Sequence, residues 1–262
     1  MRPHAPAVSM HDVWRLSPVA RLRPRDVLLV TDFDGTLADI APDPAHAFIL
    51  PASAAAIKRL AASLRKVVVL SSRPTSDLEN LVQLPGLELI GDSGLRFITP
   101  DERSRLDRFN IEAARELSRY PGVWLEMKPG ATAIHHRHSE ATREELMVVI
   151  EQIVPSLGLH ALPGRRVIEV MPRDRPKGDS LQLLIERLQP GGIICMGDDE
   201  NDRPMFELLA KLDRPHLAVG VWSAEAPEDL FSLCDLVVTG PGEASRFLTM
   251  VAEWATQIHS GC

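Results

Sequence analysis

Two aspartates one residue apart close the apolar run VLLVTDFDGT, Val27 to Thr36, and a glycine and a threonine follow at once. In open α/β sheets ligands sit beyond the carboxyl ends of strands, so Asp32 and Asp34 stand where chemistry is expected. An aspartate there can attack phosphorus and form an aspartyl-phosphate, which splits one hard displacement into two easier ones. That role is assigned to Asp32. A second carboxylate two residues on can protonate the leaving oxygen and then take a proton from the hydrolytic water, which is the role assigned to Asp34. A pair of strand-end polar residues opening a turn would look the same, and D-x-D by itself is a short motif.

The segment ICMGDDEND, Ile194 to Asp202, repeats the design with four acidic residues and an asparagine in five positions. Such a concentration of carboxylates at a strand end is unfavourable without a cation. Mg2+ takes oxygen ligands and neutralises charge that nucleophile and phosphate would otherwise oppose. Asp32, the backbone carbonyl of Asp34, and Asp198 with its neighbour Asp199 form the expected metal set. A helix N-terminus accounts for Glu200 and Asp202 equally well, but not for Asp198 and Asp199 beside the strand. Lys177, in RPKGDSL, precedes a helix and can hold nucleophile and phosphate with one positive charge. Ser71 ends the strand KVVVLSS, and its hydroxyl with the backbone N–H groups of Ser72 and Arg73 can bind phosphate oxygens near a helix start.

Stepping outward, these residues need strands to carry them. Val27–Thr31, Val67–Leu70, Leu87–Ile90, Ile193–Met196, Leu217–Val219 and Leu236–Val238 alternate with helical patterns such as Ile57, Leu60, Ala61 and Leu64, or Leu181, Leu184, Ile185 and Leu188. That is the rhythm of a parallel sheet with crossover helices. From Leu106 to Pro172 it breaks into helix, hairpin, helix, hairpin. The expected organisation is an α/β, Rossmann-like core at 1–105 and 173–262, with an inserted, smaller α+β domain at 106–172.

The first hairpin can be read by parity, because a two-residue turn at Pro129-Gly130 pairs Lys128 with Ala131. Val123, Leu125, Met127, Thr132 and Ile134 then share one face. Trp124, Glu126, Lys128, Ala133, His135 and Arg137 share the other. A turn at Pro163-Gly164 turns Leu159, Ala161, Ile168 and Val170 inward and puts Glu169 opposite. Glu126, Lys128, His135, Arg137 and Glu169 thus meet on one open face.

The 262-residue chain is 45% hydrophobic and 25% charged with a formal net charge of −7. These values suit an ordinary globular protein and give no reason to expect nucleic acid or an anionic membrane as partner. Its apolar runs are far shorter than the ~20 residues of a membrane helix. The start, MRPHAPAVSMHDVWRL, lacks the apolar core of a signal peptide, so a cytoplasmic protein with a loosely ordered start is expected. Cys195, Cys234 and Cys262 form no C-x-x-C pair, which leaves neither a disulfide framework nor a zinc site.

Together, D-F-D-G-T, the Ser71 strand, Lys177-Gly178 and G-D-D-x-x-D resemble the four motifs of the haloacid dehalogenase (HAD) superfamily, and the insert resembles its C2-type cap. L-E-M-K at Leu125–Lys128, the H-x-R at His135–Arg137 and E-V-M-P at Glu169–Pro172 are similar to the substrate-binding marks of the trehalose-6-phosphate phosphatases. The resemblance implies a Mg2+-dependent phosphatase acting on a sugar phosphate, trehalose 6-phosphate before others, with the cap glutamates and lysine on sugar hydroxyls. A phosphatase of another sugar phosphate on the same core, or a regulatory protein keeping the fold without turnover, are the alternatives. The chain departs from the family at Gly91-Asp92-Ser93-Gly94-Leu95-Arg96, where G-x-H-G-x-E is usual. It departs again at His136, where an aromatic is more common, and at Arg203-Pro204 after the acidic cluster.

Overall fold

A computed structural model of the chain describes residues 9–41, 46–95, 98–164, 166–172, 176–224 and 226–257. The first stretch runs α1 (Met10–Leu16), β1 (Val27–Thr31), α2 (Pro51–Ser63), β2 (Lys66–Leu70), α3 (Thr75–Val82) and β3 (Glu88–Ile90). The middle runs α4 (Pro100–Leu117), β4 (Trp124–Met127), β5 (Thr132–His135), α5 (Arg143–Leu157), β6 (His160–Pro163) and β7 (Val167–Met171). The last stretch runs α6 (Pro176–Leu188), β8 (Gly192–Gly197), α7 (Arg203–Leu209), β9 (His216–Trp222), β10 (Leu236–Thr239) and α8 (Gly240–Gln257). Two compact units result, residues 1–90 with 177–262, and residues 91–176.

The first unit is a parallel sheet in the order β10-β9-β8-β1-β2-β3. Strand β1 is central, between β2 and β8, and all five of its residues are buried. This is why VLLVT reads as an unbroken apolar run: both faces are covered, and alternation sends successive side chains to different cores. Val27, Leu29, Val67 and Val69 pack with Ile57 and Leu60 of α2 and Phe247 and Val251 of α8. Leu28, Val30, Val68 and Leu70 pack with Leu181 and Leu184 of α6 and Met205 and Phe206 of α7. The start of the chain differs from expectation at Met10–Leu16. There Ser9 caps a helix whose Trp14 is buried edge-on against Phe247 and Trp254.

The second unit is an antiparallel sheet, β4-β5-β7-β6, with one face packed by α4 and α5. Both helices start on capping boxes, Thr99 with Glu102 and Thr142 with Glu145, each satisfying the N–H of the cap residue and that of the third helical residue. Phe109 and Leu106 of α4 and Ile150 and Leu146 of α5 meet Ile134, Ile168 and Val170 of the sheet. The inserted domain was expected at 106–172, but position 106 falls inside α4, so the compact unit opens earlier, at Gly91. The other expected boundary, 173, lies outside the described residues.

The first hairpin has the expected register: Met127 pairs Thr132, and the Lys128 N–H donates to the Ala131 carbonyl at 2.8 Å. Met127 itself is 73% exposed rather than packed. The second hairpin closes further on than Pro163-Gly164, since Pro163 pairs with Ile168 and the Gly164 N–H donates to the Val167 carbonyl. The slip is by an even number of residues, so the faces are preserved. Ile168 and Val170 are buried while Glu169 faces the other way.

Candidate active site

Asp32 follows directly on β1, and its backbone N–H donates to the Met196 carbonyl of β8 at 2.9 Å and so ties the two charged strand ends together. The next residues fold back on themselves: the Phe33 carbonyl accepts from Leu37, and Gly35 takes a φ of +72°. A Cβ on Gly35 would lie 2.0 Å from Oδ2 of Asp198. Glycine here meets both demands, a left-handed backbone and an acid pressed against it.

Lys177, in the first turn of α6, is wholly buried. Its Nζ donates to Oδ1 of Asp32 and to Oδ1 of Asp202, both at 2.7 Å. Asp202 turns its second oxygen to the backbone N–H groups of Asp198 and Asp199, at 3.0 and 3.3 Å. Thr36 donates to Oδ1 of Asp198 at 3.3 Å. Asp32, Asp198 and Asp202 each bring a carboxylate oxygen within 4.8 Å of the others.

Three buried acids around one lysine are under-compensated. Burial pushes the Asp32 carboxyl up to about 7, Lys177 pulling against it and Asp202 and Asp34 adding to it. Burial, then Asp32, Asp202 and Asp199, raise Asp198 well above the usual carboxylate range. Burial tends to strip Lys177 of its proton, but Asp202 and Asp32 outweigh it and hold the ammonium charged. Asp32, Asp198 and Asp202 could hold a divalent cation, which would relieve this imbalance, and an all-oxygen donor set suits a hard one.

Asp199, expected beside the metal, turns its side chain to the backbone. Asp199 caps the short turn Glu200–Asp202, its side chain accepting from the Glu200 N–H at 2.7 Å, and the third clustered acid is Asp202 instead. By sequence alone Asp202 fits a helix N-terminus. Its signal was the spacing G-D-D-x-x-D, whose last acid is fully buried beside Asp198.

Asp34 lies apart from this cluster's hydrogen bonds. Arg73 grips it in a fork, with Nε donating to Oδ2 and Nη2 to Oδ1, while the guanidinium lies 5.6 Å from the Phe33 ring centre. Burial works against the charge on Arg73, but its hydrogen bond to Asp34 dominates and raises its pKa. Ser71 is buried and hangs from Ile90 through its N–H, and its hydroxyl oxygen accepts from the Arg73 N–H at 3.2 Å. Ser72 stands between them, half-buried, ahead of α3.

The register of the second unit puts Glu126 opposite Ala133 and Ala133 opposite Glu169. On that face Lys128 donates to Glu169 at 2.6 Å, and Nε2 of His135 meets Oε2 of Glu126 at 2.8 Å. Burial opposes the charge on Lys128, but Glu169 and Glu126 raise its pKa. Trp124 stacks on His135 with ring centres 3.9 Å apart and an angle of 15°, yet stays 50% exposed. Arg137 is exposed in the turn after β5. In the departing segment Asp92 and Ser93 are buried at positive φ, 54° and 53°; Arg96 lies outside the described residues.

The trehalose-phosphatase family model matches residues 30–230, a span that holds every one of these side chains. The chain belongs to the trehalose-phosphatase family. A trehalose-phosphate phosphatase of Mycobacterium bovis is 31% identical over 196 residues, 68% of this chain and 50% of that protein. The chain thus spans about half the length of the curated family relatives it matches. Among solved structures, the Aspergillus fumigatus trehalose-6-phosphate phosphatase superposes with a TM-score of 0.68 at 20% identity, covering 95% of this chain and 99% of that one. A HAD-superfamily phosphatase from Bacteroides thetaiotaomicron does so at 0.65 and 17%, covering 89% and 97%. At such identities the likeness is one of fold: the family chain has the HAD core with a separate antiparallel sheet unit. No helix among the described residues is long and apolar enough to cross a membrane.

Proposed function

We propose that this chain is a Mg2+-dependent phosphatase that hydrolyses a sugar phosphate, trehalose 6-phosphate by preference, through an aspartyl-phosphate on Asp32. The observation that carries the reading is the buried Lys177 held between Asp32 and Asp202, with Asp198 alongside. Asp32, Asp198 and the Asp34 carbonyl would hold the metal, and Mg2+ there supplies charge neutralisation for an anionic nucleophile facing an anionic substrate.

The chain's own groups do the rest. An oxygen of Asp32 attacks phosphorus, the bond to the sugar oxygen breaks, and Asp34 delivers a proton to that oxygen. Asp34 then takes a proton from water, which attacks the aspartyl-phosphate and releases phosphate and a restored Asp32. Lys177 fixes the rotamer of Asp32 and offsets charge on the transferring group. Ser71 and the turn through Ser72 and Arg73 provide a hydroxyl and backbone N–H groups for phosphate oxygens.

For the sugar, Glu126, Lys128, His135 and Glu169 offer acceptors and donors on one sheet face, with Trp124 adding a flat apolar surface. A few placed polar groups beside an aromatic plane suit a ring with hydroxyl edges and C–H faces. A cytoplasmic setting fits a substrate class too charged to cross membranes, and the net charge of −7 fits a partner other than nucleic acid.

The test is phosphate release from trehalose 6-phosphate, glucose 6-phosphate, other disaccharide phosphates and an aryl phosphate, with and without Mg2+. A kcat/KM for trehalose 6-phosphate at least about tenfold above glucose 6-phosphate, or ~1.4 kcal/mol of transition-state binding, is expected. Activity should vanish with EDTA and in a folded Asp32→Asn variant. Preference for another sugar phosphate removes the trehalose assignment, and turnover by Asp32→Asn removes the nucleophile.

A further inference from the structure

His136 follows β5 on the parity of Ile134, so it points to the helix side of the second sheet, away from the face that carries His135 and Glu126. It is only 4% exposed, and neither ring nitrogen makes a hydrogen bond of full geometry among the described residues, the Ala141 backbone interacting without closing one. Buried imidazole nitrogens almost always find partners, since leaving them bare costs free energy. The missing partner is therefore the thing to explain.

The ring lines a pocket of about 390 Å³, whose other walls include Thr142, Arg143 and Glu144 at the start of α5 and Arg166 beside the β6–β7 turn. Arg143 is half exposed and shares its charge with Glu144 at 3.1 Å; Arg166 is exposed. Arg166 holds a φ of +58°, an uncommon conformation for a non-glycine residue, which sets it at the pocket's rim. The start of a 15-residue helix adds its positive dipole end.

We propose that this pocket is a binding site for a tetrahedral oxyanion of the phosphate class, held by Arg143, Arg166, the start of α5 and a ring N–H of His136. The chemistry runs in one direction. Glu144 pairs with Arg143 and the Glu145 carboxylate is turned back onto Thr142, which leaves the Arg166 guanidinium facing the pocket without an acid of its own in its lining, and guanidinium forks match phosphate oxygens. Helix starts bind phosphate for the same reason. A small turn of the imidazole about its Cβ–Cγ bond presents one N–H to the pocket, giving the ring the partner it lacks. Without an anion, burial and then Arg166 and Arg143 hold the ring's pKa below the ordinary histidine value; Glu144 and the Ala141 backbone oppose this only in part. An anion seated among these groups reverses the balance. The site is independent of the phosphatase reading, because it uses none of the residues assigned to that chemistry.

The experiment is a titration of the full chain with inorganic phosphate, Mg2+ omitted, followed by 15N NMR of the assigned His136 ring. Sodium chloride at matched ionic strength is the control. Phosphate should shift the ring nitrogens toward the imidazolium positions and raise the apparent pKa of His136 by about one unit, a tenfold linkage that phosphate affinity must mirror. In the double variant Arg143→Gln, Arg166→Asn the shift should fall at least about tenfold in apparent affinity. Asn keeps the left-handed backbone available, and both side chains are on the surface, so the fold is retained. The proposal is overturned if phosphate leaves the His136 ring unmoved, if chloride moves it equally, or if the double variant responds like the wild type. The last outcome would mean that the ring senses phosphate bound elsewhere.

Discussion

Arg73 and Asp34 face each other as two parallel hydrogen bonds, Nε to Oδ2 at 2.6 Å and Nη2 to Oδ1 at 2.7 Å, across 39 residues of sequence. A planar fork of this kind fixes the direction of a carboxylate as well as its distance, which a lysine ammonium does not. Arg73→Lys should therefore lower kcat on a sugar phosphate by roughly tenfold to a hundredfold, part of the usual share of acid–base catalysis. An aryl phosphate, whose leaving oxygen needs less protonation, should lose clearly less. Steady-state kinetics on the two substrates checks this; equal losses would remove Arg73 as the group that orients Asp34.

Lys177 is buried between two acids, and removing a partner from such a group leaves uncompensated charge in the interior. Lys177→Met should abolish activity and cost about 3–5 kcal/mol in urea unfolding at neutral pH. Adding Asp202→Asn to it should return part of that stability and none of the activity. Stability unchanged in the single variant would mean that the two carboxylates are not held by the lysine.

Gly35→Ala is expected to fold and to bind Mg2+ at least about tenfold more weakly, because the new methyl must displace Asp198 from the acid cluster. Calorimetric titration with Mg2+ measures it. Wild-type affinity would argue that Asp198 is not a ligand.

The metal-free protein should lose stability as pH rises from about 4 to about 7. The Asp32 carboxyl rises from an ordinary 3.8 to about 7 in the folded protein, so the folded state holds the proton more tightly, and that advantage disappears as the solution passes through the window. Asp198 shifts the same way. Mg2+ should then raise the melting temperature more at pH 8 than at pH 5. Thermal melts at both values test the sign, and an equal metal effect would contradict it.

Trp124→Leu, Glu126→Ala and Glu169→Ala should each raise KM for trehalose 6-phosphate severalfold while leaving an aryl phosphate almost untouched. The first removes a stacking plane worth up to about 1 kcal/mol, and the others remove hydroxyl acceptors. Parallel losses on both substrates would place these residues in folding rather than in sugar recognition.

Much of this was legible in the sequence where a physical constraint acts locally. Strand β1 announced itself because a strand buried on both faces must be continuously apolar, and Pro129-Gly130 pinned the β4–β5 hairpin because few residue pairs close so tight a turn. The second hairpin was placed too early. Pro163-Gly164 has turn chemistry, but β6 is an edge strand, where a proline is tolerated, and the chain turns later. What stayed hidden were contacts made by long side chains over distance. Asp202, which meets Lys177 from 25 residues away, reads as an ordinary helix-start acid unless the G-D-D-x-x-D spacing is weighed. Arg73 likewise reads as a loop cation until its reach to Asp34 is seen.

The separation of Asp32 from Lys177, 145 residues along the chain, has a consequence for how this protein is made. On a ribosome adding about 5–20 residues per second, Asp32 waits roughly 7–30 s for its counter-ion, and β1 waits longer for β8. Until then Asp32 remains in water, while β1 can pair only with β2 and Asp34 only with Arg73. The 91–176 unit, whose strands pair with near neighbours, can fold during that pause. A nascent chain that has cleared the ribosome only as far as Pro176 would thus carry a finished 91–176 unit and an unfinished, exposed apolar β1, which is the form a chaperone should hold longest.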